Sequence, residues 1–377
     1  MTILFLAAAS PSPPTSGARL RNLHLGRALA AAADVELTVL GPVPTGRAEP
    51  FVLTSAGPPP PRLASLLASW RLPYQVARHS SRRLRRRVAR GGWDTVHASY
   101  PFTAPTALLA GAPVVLDAPD VEADVARGLA DVERNPLRRL RWRWEAAKTL
   151  RFERSVVQRV AAVSAASEAD ADTLLRYGAP QVVVVPNGVD SSAIEHRPPA
   201  RGATLAYVGS YDYWPNAAAA LELVSDVLPR VRKVEPGAGV TVIGRRPPPG
   251  LRKATAAAVT VTGEVDDVLT HLRPARALVV PLRAGSGTRL KVLEALAAGV
   301  PVVSTGLGVA GLGLVDGEHV LVGESPAELA AQAVRVIRDD ALATALSDAG
   351  RRVVEARFAW EAVARPLVAL HAELARQ

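Results

Sequence analysis

The chain has 377 residues, 49% hydrophobic and 21% charged, long enough for two hydrophobic cores and too apolar to be disordered. It contains no cysteine, which excludes disulfides, thiolate catalysis and cysteine-held metals, and its seven histidines lack the close helical spacing of a zinc site. The net charge of +10 suggests an anionic partner, but arginine in an alanine-rich chain also reflects GC-rich codons. No helix-turn-helix, aromatic-studded sheet or zinc-finger pattern accompanies the charge, so nucleic acid is not an expected partner.

The start, "MTILFLAAAS", lacks the basic leading segment of a signal peptide and reads as a buried strand over residues 2–8. A proline-bearing loop, "SPSPPTSG", leads into an amphipathic helix over 18–33 carrying Leu20, Leu23, Leu25 and Leu29, and "VELTVLG" returns as the second strand. The proline-rich stretch 41–61 reads as an exposed connection. "WDTVHAS" and "APVVLDAPD" are further strands, and 134–161 reads as a long basic helix leading to "VAAVSAAS" and "QVVVVPNGVD". Much of the positive charge lies in "RRLRRR" and in that helix. No apolar run reaches the ~20 residues needed to span a bilayer, so a cytoplasmic location is expected. Trp142 and Trp144 among arginines leave two options for the 134–159 helix: peripheral contact with an anionic membrane face, or tryptophans packed inside and arginines outside.

"SSAIEHRPPARG" breaks the pattern and is the expected linker, residues 191–202. Alternation then restarts with "TLAYVG", a helix from Asn216, "VTVIG", "VTVTG", a short helix, "ALVVPL", a further helix, "VPVVST" and helices from Ala327 onward. Strand–helix alternation on both sides of the linker predicts an α/β protein of two doubly wound, Rossmann-like domains facing across a cleft. The expected boundaries are 1–190 for the first domain, 203–355 for the second, and 356–377 for a terminal helix.

The stretch "PLRAGSGTRLKVLEALAAGVPVVST", residues 281–305, places a glycine-rich turn between a buried strand and a helix that Gly299 ends. Open α/β sheets bind ligands at such strand ends, and the amides of a first helical turn, with Arg289 and Lys291, suit a phosphate. The alternative is an ordinary turn and a solvated face with a Lys291–Glu294 ion pair at i,i+3. Neither the Walker spacing nor a G-x-G-x-x-G after the first strand is present.

The motifs "SPPTSGARLRN", "VPNGVD", "YVGSYDYWPN", "VTGEVDDV", "PLRAGSGTRLKVLEALAAGVPVVST", "DGEHVLV" and "FAWEAV", in this order along nearly the whole chain, resemble the retaining GT-B glycosyltransferases of the large group 1 family. The resemblance implies a nucleotide-diphosphate sugar as donor, bound mostly by the second domain, and no metal or other cofactor. It places Arg289, Lys291 and the amides of Gly287 and Thr288 on the diphosphate, Glu294 on the ribose, and Gly263 to Val265 at the base. Gly209 and Ser286 complete the donor side, and Gly17 approaches from the first domain. Fixed cations aimed at the departing phosphate would stabilise the charge that builds there.

The chain departs from the family at three points. Ser286 stands where many members begin a Glu-x7-Glu pattern ending at Glu294. Ser210 and Asn216 stand near the places of an Arg–Lys pair. Pro119 and Asp120 replace the His-Asn of "D-x-H-N-V-E", while Asp117 and Glu122 remain on the acceptor side. A general base must therefore come from Asp120, Glu122, Asp117, His97 or the leaving phosphate, although His97 at a strand end reads more readily as a packed histidine and Asp120 reads equally as a helix cap. Pro119 and Ser286 also keep open a non-catalytic relative that binds nucleotide as a subunit; the nucleotide-sugar epimerase of similar fold is disfavoured by the 281–305 string.

Overall fold

The computed structural model describes residues 1–8, 10–12, 17–43, 49–70, 72–133, 135–248, 250–251, 258–284 and 289–377. The chain forms two compact units, Met1–Asn187 with Trp360–Gln377, and Gly188–Ala359. Among the described residues no helix is long and apolar enough to cross a membrane.

The first unit is built on seven parallel strands: β1 (Thr2–Ala7), β2 (Asp34–Val39), β3 (Val52–Ser55), β4 (Thr95–Ser99), β5 (Val114–Ala118), β6 (Ala162–Ala165) and β7 (Val182–Val184). Their order is β3-β2-β1-β4-β5-β6-β7. The central strands are continuous apolar runs because helices cover both faces of a parallel sheet, and Ile3, Leu4 and Phe5 are fully buried. The stretch 41–61 is not only a connection, since β3 pairs with β2 within it. It escaped the sequence pattern because an edge strand of four residues, with Val52 64% exposed, carries little apolar signal.

The helices of this unit are α1 (Gly17–Ala30), α2 (Arg62–Ala68), α3 (Tyr74–Arg78), α4 (Arg82–Val88), α5 (Ala104–Ala107), α6 (Glu122–Val132), α7 (Pro136–Val157) and α8 (Glu168–Arg176). Asn135 starts α7 by accepting from the amides of Leu137 and Arg138, with Pro136 at the first helical position. Only the C-terminal half of α7 enters the core, through Ala146, Thr149, Val156 and Val157.

The second unit has six parallel strands, β8 (Thr204–Val208), β9 (Gly239–Ile243), β10 (Val259–Gly263), β11 (Ala277–Val280), β12 (Val302–Ser304) and β13 (Leu321–Val322), in the order β10-β9-β8-β11-β12-β13. Residues 191–202 run along this unit, where Ile194 is buried and Arg351 donates to the carbonyls of Ser191 and Ile194. Its helices are α9 (Trp214–Glu222), α10 (Leu228–Arg232), α11 (Val268–Leu272), α12 (Leu290–Ala298), α13 (Pro326–Arg338) and α14 (Asp340–Arg357). Ser325 and Glu328 form a reciprocal capping box at the start of α13. Gly299 ends α12 in the left-handed region at φ 86°.

The chain then returns to the first unit as α15 (Trp360–Val363) and α16 (Arg365–Leu374). Trp360 stacks on His24 of α1, with ring centroids 4.9 Å apart, and Leu367 and Leu370 are buried.

In each sheet the strand order reverses once, between β1 and β4 and between β8 and β11, and such a switch point leaves a crevice at the carboxyl ends of the strands. In the second unit that crevice depends on a close backbone approach. A Cβ on Gly244 would lie 1.8 Å from the Gly209 carbonyl oxygen, and Gly244 has φ 132°. Gly244→Ala is therefore expected to force the strand ends apart and lower the melting temperature by roughly 5 °C or more. Differential scanning calorimetry checks this; an unchanged transition would show that the two strand ends are not held at this spacing.

Candidate active site

The loop after β11 leads into α12, and the loop after β8 carries Gly209, so both reach the switch point of the second sheet. Ser286, Gly287 and Thr288, expected on the donor side, lie outside the described residues. Arg289 is the N-cap residue of α12, 7% exposed, and its Nε donates to the Leu307 carbonyl at 3.2 Å. Burial lowers its pKa, while Tyr213 and Tyr207 act in the opposite direction.

Lys291 is turned inward. Its Nζ donates to Asn216 Oδ1 at 2.8 Å and to Tyr207 Oη at 3.1 Å, and lies 4.4 Å from the centroid of the Tyr207 ring. Tyr207 Oη donates to the same Asn216 oxygen, at 3.0 Å, and Asn216 Nδ2 donates to the Ser210 carbonyl. Gly209 has to be small here, because a Cβ would lie 3.0 Å from the Asn216 amide carbon. Ser210 contributes through its backbone to Asn216, while its hydroxyl accepts from Arg245 Nε.

Among the described residues Lys291 and Glu294 form no ion pair; both side chains are half-buried, and Lys291 is turned onto Asn216 and Tyr207 rather than out to solvent. Desolvation, with Arg289 alongside, lowers the Lys291 pKa to about 7. Desolvation raises that of Glu294 to about 7, with Lys291 acting against it. Gly263, at φ 74°, accepts from the Gly244 amide at 3.0 Å where the β10 register shifts. Val265 packs on the core of the unit nearby. Asn216 and Tyr207 as the seat of Lys291 were not legible as partners, because they lie 75 and 84 positions away.

In the first unit, Asp117 at the end of β5 is fully buried in a two-pronged pair with Arg21 of α1, at 2.6 and 2.8 Å. Ser164 Oγ donates to Asp117 at 2.7 Å, and Arg21 also donates to Asn187 Oδ1 and the Val185 carbonyl, each at 2.9 Å. Arg21 holds the Asp117 carboxyl below its ordinary pKa even though burial opposes this. Asp117 thus ties β5 to α1 and β6. Gly17 is the first residue of α1, one turn before Arg21.

His97, one of the options for a general base, lies in the core of the first unit. It is completely buried, with Nδ1 3.3 Å from His371 Nε2 and an edge-on contact to Phe5. His371 Nδ1 in turn lies 2.8 Å from Thr95 Oγ1, and desolvation lowers the His97 pKa to about 4. Desolvation thus keeps this imidazole neutral at pH 7, and its depth gives it a packing role in this structure.

Asp120 and Glu122 remain accessible in part. Desolvation raises Asp120 to about 6, helped by Asp170, and raises Glu122 to about 8, helped by Asp120 and Glu153. Glu153 of α7, absent from the sequence expectations, accepts from the amides of Glu122 and Ala123 at 2.8 and 2.9 Å. It satisfies the first turn of α6 from another helix. Tyr100 was also missed: it sits just after β4 with φ 68°, strained for a non-glycine residue, and its amide donates to the Asp117 carbonyl at 2.8 Å. Backbone strain leaves no trace in residue spacing.

The buried lysine makes a stability prediction. In the unfolded chain Lys291 titrates near 10.5, whereas in the folded protein it loses its proton near pH 7. The unfolded state binds more protons between these values, so the penalty is full below pH 7 and shrinks as pH rises. Lys291→Met should raise the melting temperature at pH 6 and give a smaller gain at pH 9. An equal gain at both would show that the buried charge is not its cause.

Residues 202–339 match the family described as "Glycosyl transferases group 1", and residues 15–193 match "Glycosyltransferase Family 4". A phosphatidyl-myo-inositol mannosyltransferase of Mycobacterium leprae is 28% identical over 205 residues, 51% of this chain and 54% of that protein. The chain spans about half the length of the curated relatives it matches. Among solved structures, sucrose-phosphate synthase from Thermosynechococcus elongatus superposes with a TM-score of 0.72 at 20% identity, over 99% of both chains. Anabaena HepE in complex with UDP gives 0.66 at 15% identity, over 99% of this chain and 100% of that one. The two matched segments together with this architecture establish that the chain belongs to the group 1 glycosyltransferases and that its two Rossmann-like units are those of the GT-B fold.

Proposed function

We propose that the protein transfers a hexosyl residue from a nucleotide-diphosphate sugar to an acceptor, with retention of anomeric configuration and without a divalent metal. The observation that carries this reading is Lys291: a half-buried ammonium seated on Asn216 and Tyr207, beside Arg289, at the switch point of the second sheet. Two neighbouring cations partly withdrawn from water repel, and an anion between them removes the cost. A diphosphate supplies that anion, and the UDP present in the similarly folded Anabaena protein supports the choice.

In this reading Arg289 and Lys291 take up the charge that grows on the leaving phosphate, as a metal does elsewhere. Glu294 accepts from the ribose hydroxyls, and Gly263 to Val265 form the edge that meets the base. The first unit holds the acceptor near Asp120 and Glu122, with either carboxylate or the leaving phosphate taking the acceptor proton. The protein works in the cytoplasm, with the basic helix α7 meeting an anionic membrane face.

Arg289→Ala and Lys291→Ala are each expected to lower kcat by roughly a hundredfold. Glu294→Ala should mainly raise KM for the donor, because the ribose changes little in charge during reaction. Both are read by steady-state kinetics over a panel of nucleotide sugars. If the two cation variants kept full kcat while folded, the assignment would fail. Activity should survive excess chelator; a rate lost to chelation and restored by magnesium or manganese would overturn the metal-free mechanism. A purified protein that binds nucleotide yet neither transfers nor hydrolyses any donor would instead be a binding subunit.

A further inference from the structure

The first unit contains a cavity of about 580 Å³ that none of the donor chemistry uses. It is enclosed by the α2–α3 segment, α6 and α7, and its walls include Val125, Leu129, Trp142 and Phe152. Its volume falls within the roughly 300–1,000 Å³ of small-molecule sites. Glu122, whose carboxylate receives no hydrogen bond among the described residues, lines it together with Glu145, Lys148, Thr149 and Glu153, so a polar edge borders a mainly apolar chamber.

The rim of the cavity is unusual. Leu66, Leu67 and Trp70 line the cavity yet remain 48%, 74% and 78% exposed. With Leu63 they form an i, i+3, i+4, i+7 stripe over α2 and its C-terminal end. Trp144 lines the cavity from α7, 57% exposed, and belongs to a second stripe with Leu137 and Leu140. The expectation that the α7 tryptophans are packed inside therefore holds at most for Trp142.

The two stripes are fastened together. Lys148 Nζ donates to the Ser69 carbonyl at 2.7 Å, and Glu145 accepts from the Tyr74 amide at 2.9 Å. Interleaved with the apolar residues of α7 are Arg138, Arg141 and Arg143, all exposed, with no acidic residue in the helix before Glu145. Large side chains left in water beside arginines suit an interface where hydrocarbon and anionic headgroups meet. A soluble ligand inside the cavity would leave Leu63, Leu137 and Leu140 uncovered; a bilayer covers them.

We propose that the stripes on α2 and α7 seat the first unit on an anionic bilayer, and that the cavity takes the hydrocarbon part of a lipid acceptor carrying a hydroxyl. This rests on the transferase reading for the word acceptor, but its test needs no donor. Expected results are co-sedimentation with phosphatidylcholine vesicles containing phosphatidylglycerol at least tenfold stronger than with phosphatidylcholine alone. Brominated acyl chains should quench the protein's fluorescence, and most of that quenching should disappear in Trp70→Phe/Trp144→Phe.

Leu67→Glu/Leu140→Glu, both at exposed positions, should cut vesicle binding about tenfold with an unchanged melting temperature. Leu129→Trp should fill the cavity and abolish binding of farnesol, the probe alcohol, while vesicle and UDP binding persist; Val125→Phe serves the same purpose if the first variant does not fold. Farnesol binding without affinity for anionic vesicles would overturn the bilayer assignment. Vesicle binding with farnesol affinity untouched by a folded cavity-filling variant would overturn the cavity assignment. Absence of glycosyl transfer with every donor would remove the transferase reading and leave both binding results standing.

Discussion

A lysine ammonium drawn out of water onto neutral partners is the constraint around which the second unit is arranged. Lys291 is held by an amide oxygen, a phenol oxygen and a ring face, which orient the charge without neutralising it. The small residue at Gly209 admits the Asn216 side chain, and the glycine at 244 lets the two strand ends close beneath it. Three chain segments thus converge to hold one charge that neutral groups orient and that no ion pair among the described residues neutralises. Stability given up at a site is a common companion of binding strength there, since a ligand that supplies the missing anion recovers it.

The first unit treats its buried charge in the opposite way. Arg21 and Asp117 satisfy each other in two parallel hydrogen bonds, and Ser164, Asn187 and the Val185 carbonyl take up their remaining capacity. Such a fully bonded pair adds little net stability but is costly to break, so it specifies how α1, β5, β6 and the end of β7 fit together. Next to it lie Asp120 and Glu122, whose carboxyls are raised by burial and, among the described residues, have no such two-pronged partner. Satisfied charge marks the scaffold, and unsatisfied charge marks the places where chemistry is available.

Much of the fold was legible, for a physical reason. A strand buried on both faces must be apolar along its whole length, so "TILFLA", "VVLDA" and "ALVV" announced themselves without any partner being known. Where burial was one-sided or slight the signal failed, as at β3 on the sheet edge and at the short helices α2 and α3. On the donor side, Arg289, Lys291 and Glu294 were readable because they share one helix behind a glycine-rich turn. On the acceptor side, His97 already read more readily as packed, Asp117, Asp120 and Glu122 were left open, and depth in the structure separates the fully buried His97 and Asp117 from the partly accessible Asp120 and Glu122.

The sequence by itself determined the two-sheet α/β architecture, the absence of cysteine chemistry and the cationic helix mouth, because each follows from residue type and local period. The tertiary structure alone decided which charges are paired, which are buried, and at what pH each one changes state. It also decided that the exposed apolar stripes of α2 and α7 border one cavity. Pairing, burial and shared borders depend on atoms brought from positions far apart in the chain, and an electrostatic energy is set by the water those atoms displace; no spacing along a single segment encodes it.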